Sequence, residues 1–85
     1  MINYYRKRDS EVKVLQYNNN IEEIVDFVQE AIFSSYDEKG NKYYTIKTPI
    51  GDIRLHNNDY VIKNYQGEFG VYRPEVFEHI YENVY

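Results

Sequence analysis

From Lys42 to Tyr72 the chain alternates apolar and polar residues at a period of two and is broken at short intervals by turn residues. This pattern constrains the fold more than any other feature. "KYYTIKT" sets Tyr44, Ile46 and Thr48 on one face, and "PIGD" reads as a tight turn. "DIRLH" sends Ile53 and Leu55 one way and Arg54 and His56 the other. "NND" and "YQGE" then punctuate "YVIKN" and "EFGVY". The stretch predicts an antiparallel meander of about four strands, and "EVKVLQY" ahead of it adds a fifth. In that fifth strand Val12 and Val14 point opposite to Lys13, Leu15 and Tyr17.

Two helices complete the expectation. Asn20 and Glu23 have capping-box spacing. Ile21, Ile24, Val25, Val28, Ala31 and Ile32 follow as one apolar stripe, ending near Phe33, where "SSYDEKGNK" supplies turn residues. Pro74 suits a first helical position, and Val76, Phe77 and Ile80 form the inward face of a short helix over 74–81. The predicted fold is α+β: one amphipathic helix on a curled, mainly antiparallel sheet of about five strands, with a short C-terminal helix. At 85 residues this is a single domain, 1–85, with one modest core. Tyr44, Tyr60 and Tyr81 are expected to complete that core with their hydroxyls at the rim.

Composition narrows the function classes. There is no cysteine, which removes disulfide frameworks and thiolate metal sites and fits a reducing cytoplasm. No run approaches the roughly 20 apolar residues of a membrane span, and "MINYYRKRDS" lacks the apolar core of a secretory signal. The net charge of −4 disfavours nucleic acid as a partner of the whole surface. A local basic patch remains at Arg6, Lys7 and Arg8, which either contacts phosphates or neutralises Glu75, Glu78 and Glu82.

Catalytic patterns are sparse. Ser10, Ser34, Ser35, Thr45 and Thr48 do not sit in a nucleophile elbow beside His56 or His79, and no phosphate-cradling glycine motif occurs. Asp52, His56 and Asp59 can be drawn as a metal cluster, but a regular strand separates Asp52 from His56 by about 13 Å. The expectation is a chain that is not an enzyme and needs no metal or cofactor.

Two surfaces stand out for recognition. Tyr65 lies in the last hairpin turn, Tyr72 falls opposite Phe69 and Val71, and Arg73 adjoins it; these residue types are enriched at interfaces and also stack on bases. On the first helix, Glu22, Asp26 and Glu30 stand four apart, an acidic stripe spaced like phosphates along a strand.

"YRKR", "VKVLQY", "IEEIVDFV", "YTIKTPIGDIRL", "NDYVIKNYQGEF" and "RPEVFEHIYE" together resemble a family of small phage and prophage proteins of Gram-positive bacteria. That family pairs a Tyr-Arg-Lys opening and a Gln-Trp strand with a Gly-Asp-Tyr/Trp-Ile-Ile-Lys-Gly strand. It closes with Gly-Glu-Phe and a Lys-Pro-Asp-Ile-Phe-Glu-x-x-Tyr-Glu tail. The resemblance spans nearly the whole chain and is most specific in the tail. Tyr17 replaces the tryptophan, Asn58 and Asn64 replace glycines, and "GVY" at 70–72 replaces a Tyr-Pro-Cys-like run. The resemblance implies a phage or prophage origin and a cytoplasmic site of action in the bacterial host. The resulting expectation is a binding module that modulates or inhibits a host or defence protein by steric occlusion. Rival expectations are a nucleic-acid-binding accessory protein, a nucleotide-signal sponge with a pocket at a subunit junction, and a virion-associated structural protein.

Overall fold

In the computed structural model the described residues are 3–7 and 10–83, with side chains described over 12–81. The element order is β1 (Asn3–Lys7), β2 (Ser10–Gln16), α1 (Ile21–Val28), a 3₁₀ turn (Gln29–Ala31), β3 (Ile32–Tyr36), β4 (Lys42–Thr48) and β5 (Gly51–Leu55). There follow β6 (Tyr60–Lys63), β7 (Phe69–Tyr72), α2 (Pro74–Ile80) and the short β8 (Glu82–Asn83). The chain is thus α+β, with every described strand pair antiparallel.

The expected single sheet is in fact two. One has five strands in the order β7-β6-β2-β1-β8, and the other has three in the order β3-β4-β5. The meander divides because the turn after β5 does not close a hairpin. Asn58, at φ 74°, donates its N–H to the Tyr17 carbonyl (2.6 Å), and the Tyr17 N–H donates to the Asp59 carbonyl (2.8 Å). Those two bonds hand the chain to β2, where Val61 pairs with Leu15 and Ile62 with Val14.

The alternation read from β2 holds, and both faces of the sheet are covered where β2, β6 and β7 form it. Val12, Val14 and Ile62 pack with Phe77 of α2 on one side. On the other, Leu15 and Val61 pack with Ile24, Phe27 and Val28 of α1 and with Ile46 and Leu55 of the second sheet. Tyr44, Tyr60 and Tyr81 pack at the margins of these clusters, as expected of amphipathic rings.

Helix boundaries differ from expectation in three ways. First, α1 stops at Val28 because Gln29 turns to φ 54°, and Ile32–Tyr36 becomes a strand that sets Ile32 opposite Ile46. Ile32 satisfies a helical period and a strand period equally, and its burial partner decides between them. Second, Phe27 is buried while Val25 is 41% exposed, so the true stripe is Ile21, Ile24, Phe27, Val28 and Ala31. Third, Asn20 does not cap the first turn through its side chain. Its Oδ1 accepts from the Asn18 N–H (2.7 Å), and its Nδ2 donates to the Gln16 carbonyl (3.0 Å) and to the Glu23 carboxylate (3.3 Å). In α2 only Phe77 reaches the core, and Val76 and Ile80 remain exposed, because two turns of helix present too narrow a face for three inward residues.

Candidate functional site

A cleft of about 350 Å³ opens beside β7, between the β4–β5 turn and the β6–β7 turn. Each side is built by a local rule. Thr48 pairs with Gly51 across the two-residue loop Pro49–Ile50, and the Thr48 hydroxyl donates to the Gly51 carbonyl (2.6 Å). The loop turns the Ile50 side chain outward, where it is 88% exposed. Opposite, Asn64 organises the other turn: its Oδ1 accepts the N–H groups of Gln66 and Glu68, both at 2.9 Å, and Gly67 supplies a φ of 82°. Tyr65 is left at the tip, 82% exposed.

The floor depends on a missing side chain. A Cβ on Gly70 would meet Ile62 Cγ1 at 3.1 Å and Tyr72 Cε2 at 3.2 Å, so glycine lets those two groups close up beneath the cleft. Strand β7 is also the end strand of its sheet. The Asn64 N–H bonds to the Glu68 carbonyl (3.0 Å), and antiparallel ladders alternate bonded and non-bonded pairs. The main-chain groups of Phe69 and Val71 therefore point away from β6, along the edge that lines the cleft.

The sequence-predicted cluster of Tyr65, Tyr72 and Arg73 is only partly brought together. Tyr65 and Tyr72 share the cleft, but Tyr72 is half-buried and meets Tyr81 edge-on at 5.8 Å. Arg73 turns to the buried carboxylate of Asp59, with Nη1 3.1 Å from Oδ1 but out of hydrogen-bonding alignment. The Asp59 Oδ2 accepts the His56 backbone N–H at 2.8 Å. Asp59 is 1% exposed, so Arg73 serves as a charge partner to it rather than as a free surface anchor, and the His56 ring lies by the other carboxylate oxygen, with Nδ1 3.7 Å from Oδ2.

Removing that partner leaves a carboxylate out of reach of water. Arg73→Ala is expected to cost about 2 kcal/mol, discounted because half of the Arg73 side chain is already solvated. Thermal unfolding checks this, with a fall of about 8–16 °C expected in a domain of this size. An unchanged melting temperature would show that Asp59 does not depend on the guanidinium.

Tyr81 supplies a pH-dependent counterpart. Burial, followed by the neighbouring Tyr72, pushes its phenol well above the ordinary value of 10.0. The folded state then holds a proton that the unfolded state releases, so this contribution is intact below pH 10 and declines as pH rises further. Denaturant midpoints should fall on the alkaline side of pH 10, and Tyr81→Phe should flatten the decline.

The acidic stripe does not run straight. Glu22 and Asp26 are exposed one turn apart on α1, but Glu30 lies beyond the Gln29 reversal in the 3₁₀ turn and does not continue their row. Of the basic trio, Arg6 and Lys7 belong to β1, where Arg6 is in register with Glu82 on one side and Glu11 on the other. Their side chains, and all of Arg8, lie outside the described residues. His56 and Asp59 come together, with His56 Nδ1 3.7 Å from Asp59 Oδ2, but Asp52 does not join them, and no group of three or more His, Asp or Glu is placed to hold a metal among the described residues. No helix among them is long and apolar enough to cross a membrane.

One residue of consequence escaped the sequence reading, and the role of a second was not legible in it. Ile50 carried a signal, since an isoleucine between Pro and Gly in a two-residue turn has no core to enter. Asp59 entered the sequence reading only as a possible metal ligand with Asp52 and His56; its burial, and with it the pairing with Arg73, had no local signal in "NND". Comparison of the chain with protein-family models, with curated proteins and with solved structures gives no match.

Proposed function

We propose that this chain is a small binding module, encoded by a phage or prophage, that modulates or inhibits a host or defence protein by steric occlusion. The observation that carries the reading is the pair of outward side chains, Ile50 and Tyr65, on opposite rims of one cleft at a sheet edge. Scattered surface apolar residues need no explanation, but two large ones flanking a concave site have the anatomy of interface anchors. The edge of β7 adds main-chain donors and acceptors along which a partner segment can lie in extended form. The tail motif "RPEVFEHIYE" supports the phage origin, and the bacterial cytoplasm is the matching site of action. The cleft is preferred to the broken acidic row on α1 because its anchors converge on one concavity.

The test is capture of a partner from a bacterial host lysate by the tagged chain, followed by an activity assay of the captured protein. Capture that is lost when Ile50 and Tyr65 are replaced, with inhibition of the partner, supports the reading. A partner retained equally by the replaced chain, or one fully active in the complex, rejects it.

A further inference from the structure

The three-stranded sheet has an outer face that neither core cluster uses. Register and alternation place Phe33 and Ser35 of β3, Tyr43, Thr45 and Lys47 of β4, and Asp52 and Arg54 of β5 on this side, opposite Ile46 and Leu55. Phe33 is 49% exposed. The Arg54 guanidinium lies over the Tyr43 ring at 4.1 Å, forming a flat cationic surface. Phe33 pairs with Thr45 and Ser35 with Tyr43, so the Phe33 and Tyr43 rings occupy diagonal positions, about 7 Å apart at their bases.

The charge on this sheet also differs from that of the chain. From β3 to β5 it carries Lys39, Lys42, Lys47 and Arg54 against Asp37, Glu38 and Asp52, and on the outer strand face itself Lys47 and Arg54 stand against Asp52, which is in register with Lys47; either way the excess is one positive charge, in a protein of net charge −4. We propose that this face binds single-stranded nucleic acid, one base stacking on Phe33 and the next on the Tyr43–Arg54 pair, with phosphates met by Lys47 and Arg54. Successive unstacked bases along an extended strand suit two ring platforms on adjacent strands, and the exposed Ser35 hydroxyl and the Thr45 hydroxyl between them can bond to base edges. A duplex, whose bases are already stacked, has no use for such platforms. The proposal does not depend on the cleft beside β7.

Fluorescence anisotropy of a labelled short oligo-dT, and of its oligo-rU counterpart, tests it with the full chain. Binding should weaken roughly sevenfold between about 50 and about 200 mM salt if two phosphates are engaged. Phe33→Ala should weaken it about tenfold and Phe33→Trp should restore it, since stacking rather than a particular side chain is required. Lys47→Gln should reduce the salt loss to roughly threefold. Arg54→Gln, at another exposed position, keeps the test open if Phe33→Ala proves poorly folded by circular dichroism; it too should weaken binding. No anisotropy change with the wild-type chain overturns the proposal. So does duplex DNA binding as tightly as the single strand, or a Phe33→Ala chain that binds like wild type. Phe33→Ala that impairs capture of a protein partner and leaves oligonucleotide binding intact would likewise overturn it, reassigning the face to protein contact.

Discussion

Replacing Ile50 with Asp and Tyr65 with Ala together should lower affinity for the captured partner by roughly 100-fold. Each residue has the exposure and setting of an anchor worth about 2 kcal/mol or more, and such values combine less than additively. Folding should be nearly unaffected. Ile50 is 88% and Tyr65 82% exposed, so neither loses buried area, and substitutions at such positions stay within about 0.5 kcal/mol. Asp is also better suited than a β-branched residue to a turn. The measurement is paired: surface-bound partner titrated with both chains, and thermal unfolding of both. Loss of binding at constant melting temperature locates the contact at the cleft. Equal binding would move it elsewhere, and a large fall in stability would show that the rims support the fold.

Phe77→Ala should be the most damaging single substitution to stability among the described residues, costing about 3–5 kcal/mol. Phe77 is 1% exposed and is sandwiched between Tyr60, stacked at 4.1 Å, and Tyr81, at 4.9 Å. It is also the one buried residue of α2, so its ring docks the helix onto Val12, Val14 and Ile62. Native stabilities of about 5–15 kcal/mol leave little margin for such a loss, and the melting temperature should fall by roughly 15–30 °C. Val76→Ala and Ile80→Ala, on the same helix but exposed, should each cost under about 1 kcal/mol. Denaturant midpoints of the three variants separate a docked helix from a loosely attached one. Similar values for all three would mean that α2 contributes no specific packing.

The strand alternation was legible because a two-residue period is a local property of the chain. It placed Val12 and Val14 opposite Leu15, and Tyr72 opposite Phe69 and Val71, and the two core clusters keep that division. The end of α1 was not legible. Ala31 and Ile32 fit a helix by spacing, and the energy that makes Ile32 a strand residue comes from Ile46, 14 positions away. The candidate site shows the same split. Tyr65 could be placed at a hairpin tip from "NYQGE" alone. The conversion of Arg73 from surface anchor to counter-ion needed the burial of Asp59, a property of the surroundings and not of either residue.

By itself the sequence determined the α+β class, the strand faces, the turn positions and the seat of Pro74, all of which depend on neighbours within a few residues. Only the tertiary structure decided how the strands divide between two sheets, which edge borders a cleft, and which charged groups are enclosed. Those outcomes depend on pairings across the chain: the two hydrogen bonds between Tyr17 and the Asn58–Asp59 turn joined β6 to β2 instead of β5. Apolar burial favours this pairing, since it lets β2 and β6 be covered by apolar side chains on both faces.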